Sequence, residues 1–119
     1  MTAFLRGFVH AARGVALGSH GRNFRVMLVI AAAVAGLTWW VGLAAPRAAL
    51  VLACMGFVLS LELVNTAGEM LVDILCPDHD VRYGRVKDVL AGAVLLAAVA
   101  AAGVGLLVLG PPLLARLAG

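Results

Sequence analysis

The sequence predicts an all-α integral membrane protein of three transmembrane helices, preceded by an amphipathic helix lying in the interface. Three observations carry that prediction. Over 119 residues only 13% are charged and the mean hydropathy is +1.08, a composition that leaves a single small soluble domain without enough polar surface. Two long windows, Val26 to Pro46 and Val89 to Ala115, contain no charge at all, and each exceeds the roughly 20 residues a helix needs to cross about 30 Å of hydrocarbon. Between them, Ala48 to Leu75 is also long and mostly apolar, although it contains the polar stretch "LELVNTAGEMLVD". We place a surface helix at 3–18 and spans at 26–45, 48–75 and 88–115, in one membrane domain covering 1–119.

Each element has its own justification. At 100° per residue, Phe4, Phe8, Ala11, Ala12 and Val15 fall on one side of the leader while Arg6, His10 and Arg13 fall on the other. That is the pattern of a helix lying in the membrane interface, with Leu17 as its exception. The run "GSHG" from Gly18 to Gly21 ends it. The first span is read as retained rather than as a cleaved signal peptide: its apolar run exceeds the usual 7 to 15 residues, the leader is long, and Pro46 directly follows the small pair Ala44 and Ala45. Trp39 and Trp40 stand near its end, where indole rings favour the headgroup region. Pro46 then marks a short turn, so the second span returns antiparallel. Pro77 breaks the second helix, and the polar "PDHDVRYGRVKD" leads into the third. There Gly103, Gly105, Gly110 and many alanines permit close approach between helices, and Pro111 and Pro112 finish the span.

Arg and Lys near helix ends stay on the cytoplasmic side. Arg6, Arg13, Arg22 and Arg25 lie in the leader, and Arg82, Arg85 and Lys87 between the second and third spans; only Arg47 and Arg116 lie elsewhere. The expected orientation therefore has the N-terminus and the second connection in the cytoplasm and the C-terminus outside. The net charge of +3 reflects topology rather than a nucleic-acid partner. Cys54 and Cys76 are too far apart for a CxxC pair and read as free thiols. No zinc pattern and no internal repeat is present.

Glu62, Asn65, Glu69 and Asp73 are spaced by three, four and four, which puts them within about 80° of one another on one helical face. An ionisable group at membrane depth costs a few kcal/mol or more unless it meets a partner or water, so such a face turns toward a bundle interior or cavity. Taken singly, Asn65 is as well explained as interhelical glue, and Asp73, near the boundary, as a solvated carboxylate. Two glutamates on the same stripe argue for chemistry. A deep carboxylate, Glu62, suits a general base for a hydroxyl, and a shallower one, Glu69, suits a divalent cation such as Mg²⁺, which takes one or two carboxylates plus phosphate oxygens. In "GRVKD", Gly84 to Asp88, Lys87 can meet a phosphate as a point charge, although Arg85 and Lys87 are also ordinary topology anchors.

The run E-x-x-N-T-A-x-E from Glu62 to Glu69, followed by Asp73, Pro77 and "KDVLAGAVLLAA" from Lys87, resembles the small bacterial diacylglycerol kinase and undecaprenol kinase family of integral membrane enzymes. F-x-x-A-x-x-G at Phe8, Ala11 and Gly14, and "NFR" at Asn23 to Arg25, fit as well. The resemblance covers nearly the whole chain. It implies a homotrimer with active sites shared between neighbours, and transfer of the γ-phosphate of ATP, with Mg²⁺, to the hydroxyl of diacylglycerol or undecaprenol in the bilayer. By position, Glu62 corresponds to the catalytic base, Asn65 and Glu69 to polar and metal-binding partners, and Lys87 with Asp88 to nucleotide-site residues. Asp78, His79 and Asp80 align with a loop that approaches the nucleotide.

Two positions depart from the family pattern. A glutamate usual three residues before the Phe of "NFR" is Gly21 here, and the segment from Gly14 is one residue shorter. His20 is the candidate substitute as a metal ligand, the other arrangement being Glu69 with phosphates alone. Gly68 stands where a branched apolar residue is usual. A rival reading from another class is a non-catalytic membrane protein, an ion-pathway subunit or a lipid-binding relic of the kinase, since intramembrane carboxylate stripes also line ion pathways.

Overall fold

The computed structural model describes residues 2–119, which form four helices joined by short links: α1 (Ala3–Gly18), α2 (Arg22–Val41), α3 (Ala45–Leu75) and α4 (Val81–Ala118). The last three are each long and apolar enough to cross a membrane. No strand is present among the described residues. The longest shared face is that of the antiparallel pair α3 and α4; α2 packs mainly on α3, and α1 meets the bundle mainly through α3.

The core is small because α4 contributes small residues to it. Val58 of α3 and Ala97 and Ala101 of α4 are buried together, with Met27, Cys54, Met55, Leu61 and Ala98 around them. Alanines bring the two backbones close, so the contact is made by dispersion rather than by large interlocking side chains. Long apolar side chains point outward instead: Trp39 is 89% exposed, Leu107 80% and Leu106 75%. A protein in water could not leave so much apolar surface uncovered, whereas lipid tails or further protein chains cover it at no cost.

Three details of the chain path differ from the sequence expectation. The turn between α2 and α3 is made by Gly42, not by Pro46. Gly42 takes φ 75°, and its N–H bonds to the carbonyls of Thr38 and Trp39, a left-handed helix ending that a residue lacking Cβ adopts without penalty. Pro46 sits in the first turn of α3, where its missing N–H would have been unpaired anyway. The polar link to α4 is shorter than its composition implied, because Asp80 accepts a hydrogen bond from the Arg82 N–H and caps α4 at Val81. Finally, Pro111 and Pro112 do not end α4, which continues to Ala118. A spanning helix tolerates proline where neighbours hold its freed backbone in place, and the Arg116 guanidinium lies 4.9 Å over the Trp40 ring, tying this last turn to the end of α2.

At 38 residues α4 is about 57 Å long, well beyond the hydrocarbon thickness. Four of its charged residues, Arg82, Arg85, Lys87 and Asp88, lie in its first two turns.

Candidate active site

The α3 stripe is graded in burial as its spacing implied. Glu62 is 4% exposed and Asn65 5%, the two most buried polar groups of that face, while Glu69 and Asp73 are exposed. Asn65 Nδ2 donates to Glu69 Oε1 at 3.3 Å. A carboxylate only accepts, so this bond settles which end of the amide faces Glu69. It also leaves Asn65 Oδ1 buried with no hydrogen-bond partner in the chain. A buried acceptor left without a partner costs about 1–3 kcal/mol.

At the polar end of the bundle a cleft of about 200 Å³ lies between the last turn of α3 and the first turns of α4. Asp78, His79, Asp80 and Lys87 line it, and so do Asp73, Cys76 and Tyr83, which the sequence had not singled out for binding. The Cys76 thiol donates to the Asp78 carbonyl at 3.0 Å, shaping the floor of the link. Asp80 is already engaged. Besides capping α4 it receives the Arg82 guanidinium at 2.8 Å, and that contact holds its carboxyl below the usual range. Lys87 Nζ donates to Asp73 Oδ1 at 2.5 Å, bridging α3 and α4. Asp88 is exposed and does not line the cleft. His20 is exposed between α1 and α2; its Nδ1 bonds to the Ala16 carbonyl at 2.7 Å, which leaves Nε2 outward. Among the described residues no three His, Cys, Asp or Glu side chains gather closely enough to hold a metal, so Glu69 and His20 do not complete a ligand set within one chain.

A second, apolar groove of about 590 Å³ runs between α2, α3 and α4, bounded by Met27, Val34, Val51, Met55, Ala101 and Leu109 among others. Val58 and Leu59 also line it, one helical turn from Glu62. The buried carboxylate thus stands at the end of an apolar channel, and the cleft with Lys87 lies further along α3.

Residues 9–109 match the family described as Prokaryotic diacylglycerol kinase. The chain belongs to that family. The undecaprenol kinase of Bacillus subtilis (strain 168) is 35% identical over 114 residues, covering 95% of this chain and 93% of that protein. A diacylglycerol kinase of Synechocystis sp. (strain ATCC 27184 / PCC 6803 / Kazusa) is 40% identical over 94 residues, covering 78% of this chain and 54% of that protein. As a prokaryotic diacylglycerol kinase family member with three candidate spans, the chain is a membrane enzyme, a lipid kinase that uses ATP. Family membership sets aside the reading of the α3 stripe as a mere ion pathway.

Within this kinase the departure at Gly68 has a structural explanation. A Cβ placed on Gly68 would collide with Leu90 Cδ1 of α4, so Leu90 fills the space over this glycine. Gly68→Val is expected to destabilise the protein by about 1–2 kcal/mol through overpacking. Leu90→Ala, destabilising alone, is expected to stabilise the Gly68→Val variant. Thermal denaturation of the four variants in one detergent measures this; additive effects would show that the two side chains do not compete for one space.

Proposed function

We propose that the chain transfers the γ-phosphate of ATP to the hydroxyl of a single-headed membrane lipid, undecaprenol or diacylglycerol, at the cytoplasmic face of a bacterial inner membrane. The observation that carries this reading is the placement of Glu62, buried at the end of an apolar groove and one turn from the orphaned Asn65 Oδ1. A lipid whose chain lies in the groove brings its hydroxyl to that level. Glu62 accepts the hydroxyl proton as the lipid oxygen attacks the γ-phosphorus; the bond from that phosphorus to the bridging oxygen breaks, and ADP leaves. Lys87 and the cleft residues Asp78, His79 and Asp80 are assigned to the nucleotide, with Asp88 beside them at the helix start. The N-terminus and the α3–α4 link face the cytoplasm in this reading, the C-terminus faces outward, and the working enzyme is a homotrimer.

The residues also fit a Mg²⁺ ion. Glu69, exposed on α3, is a hard oxygen donor of the class this cation takes together with phosphate oxygens. When bound, Mg²⁺ neutralises charge on the transferred phosphate. His20 is the remaining candidate ligand, through Nε2.

Undecaprenol is the acceptor we favour, because the undecaprenol kinase of B. subtilis is matched over 93% of its length, against 54% for the diacylglycerol kinase of Synechocystis. The test is a competition in mixed micelles containing equal amounts of both lipids with Mg-ATP, reading both phosphorylated products. Undecaprenyl phosphate is expected to predominate. A predominance of phosphatidate would reverse the choice, and the absence of both products would overturn the activity.

A further inference from the structure

Lys87 does not stand alone at the mouth of the cleft. Its ammonium is hydrogen-bonded to Asp73 Oδ1, 14 positions earlier in the chain and on the facing helix, and among the described residues this is its one hydrogen bond. Both side chains line the same cleft as Asp78 and His79. The pair is open to solvent, with Lys87 36% exposed and Asp73 65%, so it adds little to holding the helices together.

We propose that Asp73 is a positioning residue for the phosphate-binding lysine: across the α3–α4 junction it holds the Lys87 ammonium in the cleft, ordered before the nucleotide arrives. The inference rests on the assignment of Lys87 to the nucleotide. A lysine on a flexible four-carbon stem has much rotamer freedom to lose on binding, and three N–H donors to spend. Asp73 takes one donor and removes that freedom in advance. Two donors remain for phosphate oxygens, so nucleotide need not displace the carboxylate. Asp73 touches neither the lipid nor Glu62 in this scheme, and its effect falls on nucleotide affinity alone.

The opposite role is equally definite in its consequences. If Asp73 competed with phosphate for Lys87, or merely repelled the polyphosphate, its removal would tighten nucleotide binding. The experiment measures kcat and KM for Mg-ATP and for undecaprenol in mixed micelles, for wild type, Asp73→Ala, Asp73→Glu, Lys87→Ala and the double variant. Asp73→Ala is expected to raise KM for Mg-ATP about five-fold, with KM for the lipid and kcat within a factor of two. Asp73→Glu, which keeps the carboxylate, is expected to restore most of the affinity. In the Lys87→Ala background, removal of Asp73 is expected to have no further effect. An unchanged or lowered KM for Mg-ATP in Asp73→Ala overturns the proposal, as does an equal rise in both KM values, which would mark a structural strut. If Asp73→Ala behaves so while Lys87→Ala does raise KM for Mg-ATP, the positioning role alone fails; if Lys87→Ala leaves it unchanged, the nucleotide assignment fails with it.

Discussion

Glu62→Gln is expected to lower kcat for lipid phosphorylation by about 10²–10⁴-fold, the range a positioned general base contributes. The substitution keeps the shape of the side chain and its capacity to accept a hydrogen bond, but removes the group that can take up a proton. Because Glu62 is 4% exposed, no water-borne base has ready access to the same position. The KM values for Mg-ATP and lipid are expected to stay within a few-fold, since the base acts on the transition state rather than on ground-state binding. Steady-state kinetics in mixed micelles, with both substrates varied, separates these effects. A variant that retains wild-type kcat would remove Glu62 from the role of base and leave its burial to be explained by packing.

Asn65→Leu is expected to separate activity from stability. Leucine fills nearly the same volume but carries no acceptor, so the cost of the partnerless Oδ1 disappears along with the amide's bond to Glu69. Losing an orphaned buried acceptor recovers about 1–3 kcal/mol, and losing one hydrogen bond at the surface end of the stripe costs about 1 kcal/mol. Thermal stability in detergent should therefore be unchanged or higher. Activity should fall about 100-fold or more, because the variant removes the amide that orients the Glu69 carboxylate. Melting curves alongside turnover measure both. A stability loss of more than about 2 kcal/mol would mean that Oδ1 is satisfied by protein in the assembled state, and full activity would reduce Asn65 to interhelical glue.

Much of this protein was legible in the residues themselves. The three spanning segments follow from apolar runs long enough to cross a bilayer, since no water is present in the hydrocarbon to serve an open backbone. The amphipathic leader and the polar face of α3 follow from the helical period: residues 62, 65, 69 and 73 share a face in any α-helix. The family resemblance too was carried by local runs, from Glu62 to Glu69 and from Lys87 to Ala98.

What the sequence could not decide was anything that depends on which side chain of one helix meets which of another. The pairing of Lys87 with Asp73 has no signature at a separation of 14, because it is set by the relative rotation of α3 and α4. The same holds for Leu90 filling the space over Gly68, and for the direction of the Asn65 amide, fixed by the Glu69 carboxylate. Proline and glycine were misjudged for a related reason. Their local preferences at Pro46, Pro111 and Pro112 are real, but α2 ends in the left-handed turn at Gly42, and α4 runs through its prolines to where Arg116 packs on Trp40. Sequence specifies what each helix can present along its own axis; the rotation and contact between helices, a matter of tertiary packing, decide what those groups are presented to.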